Sequence, residues 1–77
     1  MARVRYFAAA EEAAGLDTET RFEASLGELR AALGAEHPDL GAILPRCAVL
    51  VDGSRADDDA ALGQDSLVDV LPPFAGG

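Results

Sequence analysis

Apolar and polar positions change their period along the chain, and each change marks an element. Arg3 to Ala8 (RVRYFA) sets β-branched and aromatic residues in a run that predicts a first strand. The helix formers AAAEEAA follow and stop at Gly15, which predicts one or two helical turns with a glycine cap. From Asp17 to Glu23 the period is two. Thr18, Thr20 and Phe22 share one face and Glu19, Arg21 and Glu23 the other, the pattern of a half-buried strand. The period then lengthens: Leu26, Leu29, Ala32 and Leu33 recur at helical spacing as one apolar stripe. Ser25 and Glu28 form an S-x-x-E capping box at its head. Gly34 is expected to stop this helix.

After Pro38, DLGAIL predicts another helical turn, ended by Pro45. Cys47 to Gly53 (CAVLVDG) is a run of strand formers that meets Asp52-Gly53, a strong hairpin signal. SRADDDAALGQD is polar and offers a short edge strand at most. Ser66 to Pro73 reads as the last strand, apolar enough to sit centrally, with pairing ended by Pro72 and Pro73, which have no N–H to donate. One sheet with one main helix across a face is a two-layer α+β domain. If the first and last strands are parallel and adjacent, the arrangement is a β-grasp, ubiquitin-like, with a mixed sheet of four to five strands. Residues 1–73 are expected to form this domain and 74–77 a flexible tail.

Composition narrows the function. A chain of 77 residues makes one domain without room for a deep, enclosed active site. Hydrophobic residues at 49% and charged ones at 26% describe a soluble globular protein. The net charge of −8 repels phosphate backbones, so nucleic acid is a poor partner and a basic protein surface a better one. All six basic residues are arginine; there is no lysine. A single cysteine, Cys47, precludes an internal disulfide. No apolar run is long enough for a membrane span, and no apolar segment follows MARVRYF as in a secretory signal, so no membrane association and a cytoplasmic location are expected.

The chemistry lies in the ending, LPPFAGG. A carboxylate is a poor electrophile until activated, for instance as an acyl adenylate. An activating enzyme must bring it to a buried nucleotide, and side chains on Gly76 or Gly77 would crowd that approach. The four residues after Pro73 span at most about 13–14 Å, enough to thread from a folded body into a neighbour's active site. The proline pair partly presets the exit direction. The plainer alternative is a frayed end.

VRYFAAAEE near the start, LVDG in the middle and VDVLPPFAGG at the end resemble the small subunit of molybdopterin synthase, the MoaD-type sulfur carriers of the ubiquitin-like MoaD/ThiS superfamily. The likeness runs through the whole chain. The related thiazole-synthesis carrier shares the Gly-Gly but usually lacks the Pro-Pro and the Phe-Ala found here as Phe7-Ala8. The resemblance implies that a ubiquitin-activating-type (MoeB-like) enzyme uses ATP to adenylate the Gly77 carboxylate, and that persulfide sulfur converts it to a thiocarboxylate. The tail would then enter the large (MoaE-like) subunit and give sulfur to cyclic pyranopterin monophosphate. Two small and two large subunits would assemble as a heterotetramer. Gly77 would carry the reacting atom, Gly76 give clearance, and Pro73, Phe74 and Ala75 contact the partner. The chain would bind no cofactor or metal itself and would not be catalytic alone. The sequence departs from the family at Glu11, where Arg is common, at Asp52-Gly53 for Asn-Gly, and at Asp65-Ser66-Leu67 for Gly-Asp-Glu.

Other residues read more plainly. Cys47, at the start of an apolar strand, is a small core hydrophobe rather than a persulfide relay. His37 favours a helix C-terminus. Asp57 to Asp59 lack the ligand spacing of a calcium loop and read as a solvated turn. Phe74 either anchors a partner groove or folds back on the sheet. Three further functions compete: a ubiquitin-like protein modifier, a sulfur carrier for thiazole, cysteine or tRNA thiolation, and a plain interaction domain.

Overall fold

The computed structural model describes residues 1–73. Five strands form one mixed sheet: β1 (Ala2–Tyr6), β2 (Thr18–Arg21), β3 (Ala48–Val51), β4 (Ser54–Arg55) and β5 (Leu67–Leu71), in the order β2-β1-β5-β3-β4. The first and last strands are the central, parallel pair, with Arg3 opposite Leu67 and Tyr6 opposite Val70. Their neighbours run antiparallel to them, β2 along β1 and β3 along β5. This is the β-grasp topology that the order of elements predicts.

Three α-helices cover one face: α1 (Ala9–Ala14), α2 (Leu26–Glu36) and α3 (Pro38–Ile43), the last running into a 3-10 turn at Leu44–Arg46. Leu26, Leu29 and Leu33 of α2 are each 1% exposed or less and meet Val4, Tyr6, Val49, Val68 and Val70 of the sheet. Burying a side chain of this size stabilises by about 1.5–3 kcal/mol, so this layer dominates the fold. Cys47 belongs to it, as a small apolar residue.

The capping box holds: the Ser25 hydroxyl accepts the Glu28 N–H at 3.2 Å. The loop after β4 completes the cap. Ala60 and Asp58 carbonyls accept the Leu26 and Gly27 N–H groups at 3.0 and 2.8 Å. The Asp57–Asp59 turn thus serves the helix start; its side chains are exposed, and the Asp58 carboxylate also pairs with Arg30 at 2.9 Å. Asp52 (φ 51°) and Gly53 (φ 85°) make the tight β3–β4 hairpin.

One expectation fails. Gly34 does not stop α2, which continues to Glu36 and ends at His37. Gly34 instead packs against Gly41 of α3, where the two backbones come close enough that a Cβ on Gly41 would stand 3.0 Å from the Gly34 Cα. The glycine is there for the helix crossing.

Strand β2 alternates as read, but its charged face turns inward. Glu19 and Arg21 are half-buried, while Thr18 and Thr20 face solvent and Phe22, beyond the strand, is 78% exposed.

Candidate functional site

The described chain ends just beyond β5, the best-buried strand. Val68 and Val70 point into the core, and Leu67, Asp69 and Leu71 lie on the sheet's outer face. Pairing ends at Leu71, opposite Ala48. Pro72 is buried and Pro73 is exposed. Pro73 is the last of the described residues. Phe74, Ala75, Gly76 and Gly77 lie outside the described residues.

Beside this end the outer face is built from β1 and β5. Arg5 and Asp69 pair across the parallel strands as a two-pronged ion pair, with Nε donating to Oδ1 at 2.6 Å and Nη2 to Oδ2 at 2.9 Å. Asp69 is only 8% exposed, and Arg5 compensates its burial. The same guanidinium lies 5.5 Å from the centroid of the Phe7 ring. Phe7 is 37% exposed, and the half-buried Leu50, Leu67 and Leu71 flank the pair. The result is one satisfied ion pair flanked by half-buried leucines, with the exposed Arg3 and Arg55 opposite Leu67 and Leu50.

The turn that places Phe7 is strained. Ala8 has φ 50° and ψ −123°. It occupies the first central position of a tight turn closed by the Ala10 N–H on the Phe7 carbonyl at 3.0 Å. Glycine is the usual residue there. The Phe7 N–H binds the Val70 carbonyl at 3.2 Å and ties this turn to the tail strand.

A second polar cluster lies under the helices. Arg21 donates to Glu19 at 2.8 Å, to Glu23 at 2.7 and 3.0 Å, and to Glu36 at 2.7 and 2.8 Å. The Arg21 hydrogen bonds hold the Glu36 and Glu23 carboxyls below their usual range, and those carboxylates in turn raise Arg21. Glu19, Glu36 and His37 bring metal-ligating atoms within 4.8 Å of one another. Arg21 already engages both carboxylates, one oxygen of Glu19 and both of Glu36. A cation would have to compete with this half-buried guanidinium, and the donor set fits an internal ion network better than a metal centre. His37 caps α2 through its backbone N–H on the Leu33 carbonyl, 2.8 Å.

Sequence reasoning ended strand pairing at Pro72-Pro73, and pairing does end at Leu71. It missed the Arg5–Asp69 pair and the Arg21 hub. The first had a signal, an acid inside an otherwise apolar central strand.

The ThiS family matches residues 4–77. The chain belongs to the ThiS family. It is a small ubiquitin-like sulfur carrier of the group that takes in the ThiS, MoaD and SAMP proteins. The resemblance to MoaD-type carriers is thus met at the level of this wider group.

Solved structures share the fold. SAMP1 from Haloferax volcanii is 25% identical, with 99% of this chain and 98% of that one covered and a TM-score of 0.81. A putative molybdopterin converting factor subunit 1 from Pyrococcus furiosus is 23% identical over 95% and 97% of the two chains, with a TM-score of 0.84. A complex of subunits 1 and 2 of the molybdopterin-converting factor from Helicobacter pylori contributes a chain 28% identical, covering 99% and 97%, with a TM-score of 0.76. No curated protein sequence matches. Among the described residues, no helix is long and apolar enough to cross a membrane.

Proposed function

We propose that this sulfur carrier is the small subunit of molybdopterin synthase. The Gly77 carboxylate attacks ATP on an adenylating enzyme and displaces pyrophosphate. Persulfide sulfur then displaces AMP, and reduction of the resulting S–S bond by a thiol leaves the thiocarboxylate. Inside the large subunit that sulfur is passed to cyclic pyranopterin monophosphate, and Gly77 returns to a carboxylate. Pro73 and Phe74 to Ala75 form the approach, Gly76 and Gly77 the reacting end.

One observation carries the reading. The motifs that separate MoaD-type carriers from thiazole carriers sit at the same end of the central strand pair: the Phe7 N–H binds the Val70 carbonyl, and Pro72-Pro73 follows directly on β5. The likeness to a chain from a subunit 1 and 2 complex supports it. The outer face around Arg5–Asp69 is then the surface that docks on the large subunit and the adenylating enzyme.

The test is reconstitution with both partners, ATP and a persulfide donor. The carrier should gain mass by replacement of one oxygen with sulfur and then support dithiolene formation. Deleting Gly77 should abolish both while leaving the circular dichroism spectrum unchanged, because the core among the described residues is built from Ala2 to Val70. Normal transfer by the truncated chain would overturn the proposal. A second reading, attachment to protein lysines, draws on the likeness to SAMP1. It would appear as conjugates of higher mass in the same reaction, with no dithiolene.

A further inference from the structure

An activated Gly77 carbonyl reacts with any amine or thiolate that reaches it, including the carrier's own. The chain contains no lysine, and its six bases are arginines, which stay protonated at neutral pH. Cys47 is 9% exposed, donates its Sγ–H to the Ile43 carbonyl at 3.3 Å, and burial pushes its thiol up. Tyr6 is 2% exposed, and burial raises its phenol above the usual range. The His37 Nε2 is shut off from solvent. Residues 74–77 are Phe-Ala-Gly-Gly and bring no nucleophilic side chain.

Hydroxyls, which are weak nucleophiles, and the Met1 amine remain. The topology puts that amine out of reach. Because β1 and β5 are parallel, with Arg3 level with Leu67, Met1 stands at the opposite end of the sheet from Leu71. Six residues of strand separate the two levels, about 20 Å. The four residues beyond Pro73 reach at most about 13–14 Å.

We propose that this carrier is a donor only: the fold leaves no amine or thiolate of its own within reach of its charged terminus, so the acyl group leaves to a nucleophile that a partner supplies. In the forbidden reaction, an amine nitrogen would form the amide bond to the Gly77 carbonyl carbon, the leaving group would depart with the bonding electrons, and the amine proton would go to water. Removing lysine while keeping arginine preserves surface cations without that risk.

The inference rests on Gly77 being the activated group, but its test does not depend on which enzyme activates it. The full chain is made with a Gly77 thioester, released by thiol from an intein fusion. Wild-type protein should convert to the free acid alone. Arg46→Lys keeps the charge and places an amine at the tail's end of the sheet: Arg46 is exposed and lies two positions before Ala48, the partner of Leu71. It should cyclise, with loss of the thiol and a cross-link between residues 46 and 77 in peptide mapping, at least tenfold faster than Arg3→Lys at the far end. An internal amide or ester in the wild type, or equal cyclisation of the two variants, would overturn the proposal. Failure of enzymatic adenylation would count against the function proposed above and leave this outcome readable.

Discussion

Ala8 is the residue under most backbone strain, at φ 50° and ψ −123°. Such a conformation costs an L-residue on the order of 1–3 kcal/mol. Ala8→Gly should therefore raise the denaturant midpoint, with a net gain of about 1 kcal/mol once glycine's greater freedom in the unfolded chain is deducted. An unchanged or lower midpoint would mean that the turn holds no strain. Arg21 sets a different dependence. It keeps Glu36 and Glu23 below the ordinary carboxyl value of 4.5, so both take up protons more readily in the unfolded chain. Their contribution is complete above that value and is lost as pH falls through it toward their lower native values. Urea midpoints should fall with pH over that window, and Glu36→Gln or Glu23→Gln should flatten the decline. The Arg21 hub was not legible beforehand. Its alternation with Glu19 and Glu23 was plain, but the third carboxylate, Glu36, comes from a helix fifteen residues on, and only the packing of α2 over β2 reveals which face of the strand is inside.

At the scale of elements, sequence periodicity read the strands and main helix well because their faces are committed to one core. Leu26, Leu29 and Leu33 have the spacing that the sheet requires, and the Ser25–Glu28 signature is local. Gly34 misled because glycine has two uses in helices, ending them and letting two approach, and the choice depends on Gly41, seven residues away. The contact is unequal, and the inequality is testable. A Cβ on Gly41 would stand 3.0 Å from the Gly34 Cα and 3.1 Å from its carbonyl oxygen. Gly41→Ala should thus destabilise by about 1–3 kcal/mol through overpacking. A Cβ on Gly34 meets the Gly41 Cα at 3.8 Å, ordinary contact. Gly34→Ala should be neutral or stabilising by up to about 1 kcal/mol, the gain in helix propensity. Thermal unfolding of the pair decides it; equal effects would contradict the geometry.

Across the whole molecule the division of labour is simple. The helices and the inner sheet face make the body, while the outer face and the end of β5 are where the proposed function would have chemistry delivered. The topology was readable from the order of elements, because two apolar strands at the ends of a short chain have little choice but to share the centre. Of the outer face the sequence showed only where strand pairing ends, at Pro72–Pro73, since Asp69 acquires its partner through a parallel neighbour 64 residues earlier. That neighbour relation also has a mechanical consequence. A pull between the amino end and the tail would slide β1 along β5, loading the evenly spaced hydrogen bonds of four paired positions together rather than peeling them singly. Stretched in an optical trap from those two points, the domain should hold and then yield in one abrupt step, at a force well above that needed when one handle is moved to the β3–β4 hairpin. If its end is gripped inside larger enzymes, as the proposed function requires, the carrier would thereby resist being unravelled by its own handle.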